Sequence, residues 1–234
     1  MGKIISIQGQ KGSGKNQVAE YLNYLLNTPK LFHYYWLAKL LHFKTWKHDW
    51  KITSYATPLK KMVAILLNVP VERFEDRDFK ENWYFDFNEY KFYHTGILDK
   101  SHIIPDKEFS RKLKKGNLDI ILQYRLSVRQ ILQCFGTDVM RRFFGDKLWI
   151  NITLLQEGDL MITDQRFIIE NQSVQELDDN TIIHIVRPGT ESSNHASEKE
   201  LVKLFQKKQY DYLINNDGTL KDLFNKCREI VWGG

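Results

Sequence analysis

Short apolar segments alternate with segments of helical periodicity along most of the chain. Five of the apolar segments predict β-strands: KIISIQG (3–9), KITSYA (51–56), DLMITD (159–164), TIIHIVR (181–187) and YDYLIN (210–215). Most of them are continuous apolar runs, which is typical of strands that a parallel sheet buries on both faces. The alternation of strands and helices predicts a three-layer α/β fold, with a five-stranded parallel sheet flanked by helices.

The longest helical pattern covers residues 127–144 and opens with the capping box Ser127-x-x-Gln130. One side of this helix is apolar, and another side brings together Arg129, Gln133, Gly136 and Met140. A small residue between an arginine and a glutamine fits a surface that a ligand approaches, and it fits an ordinary solvated face equally well. The helical pattern alone leaves both interpretations open.

Residues 71–120 interrupt the alternation with a charged, aromatic and irregular segment. We interpret this segment as an insertion packed beside the substrate side of the core, because about 50 residues rarely build an autonomous core. No apolar run approaches the length of a membrane span, and the N-terminus has the pattern of a strand. These features predict a protein without a membrane anchor.

The net charge is +5, which nucleic-acid binding could explain. The basic residues are scattered, however, and the densest cluster, SRKLKKG (110–116), lacks interleaved aromatic residues. A solvated surface with one phosphate-binding pocket is therefore the favoured interpretation, and nucleic acid is not the expected partner. The two cysteines, Cys134 and Cys227, have neither metal-ligand nor disulfide spacing and fit a reducing compartment.

The first strand leads into Gly9-Gln-Lys-Gly-Ser-Gly14-Lys15, which satisfies the G-x-x-x-x-G-K pattern of a phosphate-binding loop. Glycines let the backbone N–H groups turn toward a polyphosphate, the following helix adds its positive N-terminus, and Lys15 reaches the β and γ phosphates. Residues 1–234 are therefore predicted to form a single P-loop domain with the 71–120 insertion. The loop residues expected to bind ATP are Gly9, Lys11, Gly12, Ser13, Gly14, Lys15, Asn16 and Gln17.

Asn16 departs from the usual loop pattern, which has a serine or threonine hydroxyl after the lysine as a direct Mg²⁺ ligand. An amide oxygen can ligate Mg²⁺ or hold one of its waters. Nucleotide binding tolerates this difference better than catalysis does, so a nucleotide-binding protein without kinase activity stays an alternative.

Charged residues follow the other predicted strands at the edge where ligands of α/β proteins bind. Asp164 ends the third strand and is the expected Mg²⁺ ligand, directly or through water; Arg166 would project on the same side. Lys60 lies in the first turn of the helix after the second strand, and Arg187 ends the fourth strand. Each of these residues also has an ordinary interpretation, as a solvated or salt-bridged surface residue.

The last segments complete the pattern. Ser197-x-x-Glu200 is a second capping box, and His195 before it is expected to be a loop residue rather than a ligand. The Asn-Asn-Asp-Gly turn at 215–218 would lie at the sheet edge beside the phosphate loop, where an adenine could rest against the backbone. Asn216 and Gly218 are therefore candidate ATP-binding residues.

Together these motifs resemble the deoxynucleoside monophosphate kinases of bacteriophages and their bacterial relatives. The likeness covers most of the chain outside the insertion and rests on the phosphate loop, SYATPLKK (54–61), SVRQILQCFGTDVMRRFFGDKLWIN (127–151), ITDQRFIIEN (162–171), IVRPG (185–189) with HASE (195–198), and YLINNDGTLKDL (212–223). The last segment is less specific, because dephospho-coenzyme A kinases and other small-molecule kinases share it. Such relatives commonly carry Asp-Thr where this chain has Asn16-Gln17.

The resemblance implies an ATP- and Mg²⁺-dependent transfer of the γ-phosphoryl group to a deoxynucleoside 5′-monophosphate in a bacterial cytoplasm or a phage-infected host cell. It implies catalytic roles for Lys15, Asp164, Arg166 and Arg187, the last as a lid arginine. The acceptor nucleotide would be held by Lys60, Arg129, Gln133, Trp149 and Arg166. The metal would be held by Asn16 and Asp164, and a homodimer is compatible with this interpretation.

Two alternatives stay open at the level of sequence. One is a kinase for another small phosphorylated acceptor, of the phosphomevalonate or dephospho-coenzyme A type. The other is a nucleotide-binding or nucleic-acid-associated protein without kinase activity, which Asn16 and the basic charge would explain.

Overall fold

The computed structural model describes residues 2–28, 35, 50–96, 102–116, 119–190 and 196–233. His195 and most of the polar segment before it therefore lie outside the described residues. The strands are β1 (Ile4–Gly9), β2 (Lys51–Thr53), β3 (Trp83–Asp86), β4 (Lys91–His94), β5 (Leu126–Ser127), β6 (Leu160–Gln165), β7 (Asn180–Val186) and β8 (Tyr212–Asn215).

The helices, in chain order, are α1 (Lys15–Asn27), α2 (Thr57–Leu67), α3 (Arg77–Asn82), α4 (Asp106–Lys114), α5 (Ile120–Gln123), α6 (Val128–Gln133), α7 (Arg142–Phe144), α8 (Leu148–Leu154), α9 (Ile168–Gln175), α10 (Ala196–Gln206) and α11 (Leu220–Trp232). A 3₁₀ turn spans Val71–Glu75, and a π-helical segment spans Cys134–Arg141. The chain divides into two compact units, Met1–Tyr55 with Ile152–Gly234, and Ala56–Asn151. That residues 1–234 act as one domain stays a prediction.

The first unit contains a five-stranded sheet in the order β2-β6-β1-β7-β8, with every neighbouring pair parallel. This confirms the predicted α/β fold with a five-stranded parallel sheet. β1 occupies the centre, so the phosphate loop that follows it starts between the ends of β6 and β7. Because parallel strands share one carboxyl edge, the residues that follow these strands meet at that edge.

The strand bounds differ from the sequence prediction by up to three residues, and two of these differences lie at the candidate site. β2 ends at Thr53 rather than at residue 56, because the backbone N–H of Tyr55 donates to the Asp164 carboxylate (2.7 Å) instead of continuing the ladder. β6 continues one residue past Asp164, to Gln165, which pairs with Gln8 of β1. Asp164 therefore lies within β6, one residue before its end, and its carboxylate accepts a hydrogen bond from the backbone just after β2.

Apolar side chains of the sheet and of helices α1 and α11 form the core of the first unit. Its buried residues include Ile7, Met161 and Ile183 from the strands, with Leu22 from α1 and Phe224 from α11. Since the strands are buried on both faces, their sequences read as continuous apolar runs. On α1 the side chains of Val18, Leu22 and Leu25 are buried, whereas that of Leu26 is exposed.

The second unit holds a small antiparallel sheet in the order β4-β3-β5. In it Tyr84 pairs with Tyr93 and Phe85 with Phe92, across the turn that joins β3 to β4. The 71–120 segment is therefore more regular than predicted, because cross-strand aromatic pairs stabilise a hairpin that its charged residues conceal in the sequence. The core beneath it is aromatic and includes Phe74, Phe79, Phe85 and Phe109.

The helical segment after β5 begins with the predicted capping box. Gln130 N–H donates to Ser127 Oγ (3.1 Å), and Ser127 N–H donates to Gln130 Oε1 (2.9 Å). The π-helical segment then changes the phase of the helix, so that Phe143, which a continuous α-helix would place on the apolar side, is exposed. A side chain at Gly136 would lie 2.6 Å from Leu59 Cδ2, so this glycine allows close packing against α2 rather than the approach of a ligand.

Within the described part of the chain, none of the helices combines the length and the apolar character that a membrane crossing requires.

Candidate nucleotide site

The loop between β1 and α1 has the backbone geometry that its glycines suggested. Gly12 (φ 83°) and Gly14 (φ 101°) adopt left-handed conformations, which side chains disfavour. At Gly14 a Cβ atom would also lie 2.7 Å from the Asn216 side-chain nitrogen. The loop therefore needs glycine at this position for two separate reasons, and it directs the chain into the N-terminus of α1, where phosphate groups bind readily.

Lys15 is buried at the start of α1, and its ammonium group is turned back into the loop. Nζ donates to the carbonyl oxygens of Gly9 and Gln10, each at 2.7 Å. The pKa of Lys15 is lowered to about 8. Burial is the largest cause and the charge of Arg166 adds to it, whereas Glu198 and Asp164 act in the opposite direction. The loop therefore holds an amine that loses its proton near pH 8. It lies in the position where the motif predicts contact with the β and γ phosphates.

Three side chains from later strands and connections hold the loop. Asn216 donates from Nδ2 to the Ser13 carbonyl (2.8 Å), and Arg187 donates from Nη1 to the Gly12 carbonyl (3.2 Å). Thr190, which the sequence interpretation missed, donates from Oγ1 to the Gln10 side-chain oxygen (2.8 Å). The structure thus brings the predicted residues Asn216 and Arg187 to the phosphate loop.

The remaining loop residues have less distinctive surroundings. Lys11 and Asn16 are exposed, and the Gln17 amide donates to the Glu20 carboxylate at 3.3 Å. Ser13 is buried, and within the described ranges its hydroxyl makes no hydrogen bond. Gly218 precedes the N-cap of α11 and lies against Asp222, so its position is set by that cap. The ATP contacts of these residues stay predictions.

Asp164 and Arg166 lie two residues apart at the end of β6. Their side chains bind different parts of the first unit. The Asp164 carboxylate accepts the Tyr55 backbone N–H (2.7 Å). The Arg166 guanidinium donates from Nη1 to Glu198 Oε1 of α10 (3.2 Å). Both charges act on Lys15: the carboxylate raises its pKa and the guanidinium lowers it. The roles of these two residues stay predictions.

Glu170 fixes the backbone that carries Arg166. Its buried carboxylate accepts the backbone N–H groups of Arg166 (2.8 Å) and Phe167 (3.0 Å) at the start of α9. The acid at this position satisfies donors that a helix start leaves open. The only signal for it in the sequence is its spacing from the end of β6.

His184 on β7 is buried beneath the loop and is neutral at ordinary pH. Burial is the main reason that its pKa is lowered to about 4, and the charge of Lys15 contributes. The ring lies against Phe205 (centroids 5.0 Å apart) and Tyr210 (5.4 Å). This environment makes His184 part of the packing rather than a proton donor.

In the second unit, the two predicted acceptor-binding cations are paired with glutamates of the 71–82 segment. Lys60 Nζ lies 2.7 Å from Glu75 Oε1. Arg129 donates from Nε to both carboxylate oxygens of Glu81, each at 3.0 Å. The Glu81 carboxylate binds the Arg129 guanidinium through several bonds, a mode of binding that a phosphate group would also use. No pattern in the sequence indicates that acids of the insertion reach these two cations.

The other two predicted acceptor residues differ in exposure. Gln133 is exposed at the end of α6. Trp149 is buried, and its indole N–H donates to the Gly136 carbonyl (2.9 Å) in the π-helical segment. This bond joins the indole to the π-helical segment, so Trp149 has a structural partner already. Its contact with an acceptor stays a prediction.

A strand, a glycine-turned loop, a buried lysine and an acid at the end of the neighbouring strand define the class of P-loop nucleotide-binding proteins. More specifically, the chain belongs to the deoxynucleotide monophosphate kinase family, because the model of the family described as "Deoxynucleotide monophosphate kinase" matches residues 3–227.

Two curated relatives carry the same description. The chain is 32% identical over 114 residues to the deoxynucleotide monophosphate kinase of Escherichia phage RB69, and 31% identical over 113 residues to that of Enterobacteria phage T4. Each match covers 45% of this chain and 45% of the relative, so less than half the length of these relatives is matched. Among solved structures, dephospho-CoA kinase from Campylobacter jejuni covers 100% of this chain and 99% of its own, at 14% identity and a TM-score of 0.37, a likeness too distant to carry an argument.

Proposed function

We propose that the protein transfers the γ-phosphoryl group of ATP to a deoxynucleoside 5′-monophosphate and releases ADP and the deoxynucleoside diphosphate. Membership of the family and the names of the two phage relatives support this proposal. The structural observation that carries it is the Lys15 ammonium, held inside a glycine-turned loop beside Arg166 and Asp164. Such a cluster of charges is suited to a reaction between polyanions.

ATP is proposed to bind at the phosphate loop. The loop N–H groups and the N-terminus of α1 would bind the β and γ phosphates, and Lys15 would exchange its two carbonyl partners for phosphate oxygens. Arg187 already contacts the loop at the Gly12 carbonyl and would turn to the ATP phosphates. Asn216 and Gly218 would lie beside the adenine side of the loop.

Asn16 and Asp164 are the residues proposed to hold Mg²⁺. Within the described ranges no group of three or more acids, histidines or cysteines could hold a metal ion. A sparse pair of oxygen donors nevertheless fits Mg²⁺, which keeps several waters and completes its shell with phosphate oxygens. When bound, the ion would neutralise charge on the phosphates between which the group is transferred.

The acceptor monophosphate is proposed to be held by Lys60, Arg129, Gln133, Trp149 and Arg166. Arginine presents a planar fork of donors to a phosphate group, which a lysine cannot replace. The attacking group is a phosphate oxygen and needs no strong base, so these residues act by placement and charge. We propose the bacterial cytoplasm, including that of a phage-infected cell, as the place of action, with a homodimer as a compatible assembly.

A turnover panel tests the proposal. The protein is incubated with ATP, Mg²⁺ and each common deoxynucleoside and ribonucleoside monophosphate, then with phosphomevalonate and dephospho-coenzyme A, and products are resolved by phosphorus NMR. We expect phosphorylation of at least one deoxynucleoside monophosphate. Turnover of only the last two acceptors would replace the proposal with another small-molecule kinase. ATP binding without any turnover, together with salt-dependent DNA binding, would favour a non-enzymatic role.

A further inference from the structure

Glu198 of α10 is a buried acid beside the proposed phosphate site. Its side chain is 4% exposed, and Oε1 lies 3.2 Å from Nη1 of Arg166, whose side chain is 29% exposed. A carboxylate loses its hydration when it is buried, and a single contact with a partly exposed arginine compensates this loss only in part. A buried ion pair is therefore weak evidence of stabilisation and calls for another explanation.

The second carboxylate oxygen of Glu198 strengthens this point. Oε2 is buried and forms no hydrogen bond within the part of the chain that the structure describes. A residue selected only to attach α10 would be expected to satisfy both oxygens or to be apolar. The Glu198 carboxylate instead contacts Arg166 and raises the pKa of Lys15, as Asp164 also does. It therefore belongs to a group of charged side chains at the phosphate loop.

Attachment of α10 is provided separately by Glu200. Its Oε2 accepts the backbone N–H of Ile168 at the start of α9, at 2.8 Å. Glu198 and Glu200 therefore lie two residues apart on one helix and contact the same connection between β6 and α9. One contacts the backbone, and the other contacts the arginine side chain.

The backbone of Arg166 is likewise fixed without Glu198, because Glu170 accepts its N–H (2.8 Å). What Glu198 adds is the direction of the guanidinium. A long arginine side chain has many rotamers, and holding it before the substrate arrives removes that cost from the binding step. The carboxylate also offsets the repulsion between Arg166 and Lys15.

We propose that Glu198 is a positioning residue for the phosphoryl transfer, which holds the Arg166 guanidinium toward the phosphate group of the acceptor. This inference rests on the proposed function and deepens it. Glu198 acts through Arg166 and does not itself touch a substrate.

The first test compares Glu198→Gln with the matched control Glu200→Gln on the same helix. With the acceptor found by the turnover panel, we expect Glu198→Gln to lower kcat at least tenfold, with ATP binding in the absence of acceptor changed less than twofold. Glu200→Gln should leave kcat within about twofold, since it acts on a backbone contact. Equal losses in the two variants would show a general effect on α10 and would overturn the inference.

A double-mutant cycle with Arg166→Met tests the route of the effect. If Glu198 acts through Arg166, adding Glu198→Gln to Arg166→Met should cost less than twofold in kcat, although it costs tenfold alone. A further tenfold loss in the double variant would show independent action and overturn the proposal. Should Glu198→Gln fail to fold, Glu198→Asp takes its place in the same cycle, with an intermediate loss expected only where Arg166 is present.

A measurement without turnover separates this inference from the proposed function. The Nε–H signal of Arg166 in NMR spectra is assigned by its absence in Arg166→Met. We expect a rigid side-chain signal in the wild-type protein and in Glu200→Gln, and motional averaging in Glu198→Gln. An equally rigid signal in Glu198→Gln overturns the positioning role. Absence of turnover in the wild-type protein contradicts the proposed function and leaves this measurement decisive for Glu198.

Discussion

Lys15 is the residue on which the proposed chemistry depends most directly. We expect Lys15→Ala to reduce transfer by about 10²–10³-fold, because a preorganised charge on the transferred group is lost. The rate is measured with saturating ATP and acceptor, and circular dichroism checks the fold, since the variant also loses two bonds to loop carbonyls. Lys61→Ala, which removes an exposed lysine of α2, serves as the control. Retention of more than about a tenth of the wild-type rate would contradict the assignment of the loop.

The depressed pKa of Lys15 predicts a pH dependence. The cationic form is the protonated form, so capture of ATP by the free protein needs a pH below the pKa of about 8. We expect kcat/KM for ATP to fall as the pH rises through this value, roughly tenfold for each further pH unit. The profile of kcat should bend at a higher pH, because bound phosphate favours the charged lysine. A kcat/KM profile that stays flat to about pH 10 would contradict this assignment.

Asn16 allows a test of the metal site by substitution toward the common loop sequence. Asn16→Ser and Asn16→Thr restore a hydroxyl that ligates Mg²⁺ directly in other phosphate loops. We expect the Mg²⁺ concentration for half-maximal rate to fall or stay unchanged, and Asn16→Ala should raise it. Loss of activity in the hydroxyl variants with an intact fold would show that the amide has a different role.

At the scale of elements, the 71–82 segment holds Arg129 and Lys60 with Glu81 and Glu75. Solvent screens such pairs, and each contributes at most about 1 kcal/mol to stability. Glu81→Gln should therefore leave the melting temperature almost unchanged. It frees the Arg129 fork for phosphate, so we expect the acceptor KM to fall several-fold.

The control for this prediction is Glu72→Gln, which removes an exposed acid from the same segment. It should change the acceptor KM less than twofold. A rise of the acceptor KM in Glu81→Gln would instead show that Glu81 orients Arg129 for the acceptor. An equal fall of KM in both variants would show that the net charge of the segment, and not the Arg129 contact, causes the effect.

Elements whose cause is local could be predicted from the sequence. The parallel strands follow from apolar runs, the phosphate loop from its glycines and lysine, and the capping box at Ser127 from a four-residue pattern. The π-helical segment could not be predicted, because it depends on packing at Gly136 and on the Trp149 bond to its carbonyl. The β3–β4 hairpin was missed because charged residues obscure its alternating aromatic pattern.

The residues of the candidate site that follow strand ends could likewise be predicted from the sequence, whereas those that make long-range contacts could not. Lys15, Asp164 and Arg166 are placed by the ends of strands that meet at one edge, and the structure brings their charges together. Glu198, Thr190 and Glu81 make contacts between segments far apart in the sequence, which no local pattern encodes. Glu198 does belong to the HASE segment that supported the family resemblance, but its partner Arg166 became visible only in the fold.

At the scale of the whole molecule, two separate cores predict two regions of local stability. Phe109 is fully buried in the core of the second unit, and Phe109→Ala should cost about 3–5 kcal/mol there. Native-state hydrogen exchange should accelerate for amides of β3, α4 and α6, while amides of β1 and β7 keep their protection. Ile7→Ala, in the core of the first unit, should give the reverse pattern. Equal acceleration in both units would show a single cooperative structure.

The burial of the Lys15 ammonium beside Arg166 has a calorimetric consequence. Near pH 8 only about half of the free molecules carry the proton on this amine. Because bound phosphate favours the ammonium form, ATP binding would draw up to about half a proton from solution at this pH. The buffer must supply that proton. The observed heat of ATP binding should then vary linearly with the ionisation enthalpy of the buffer, with a slope that decreases as the pH is lowered from about 8 to about 7.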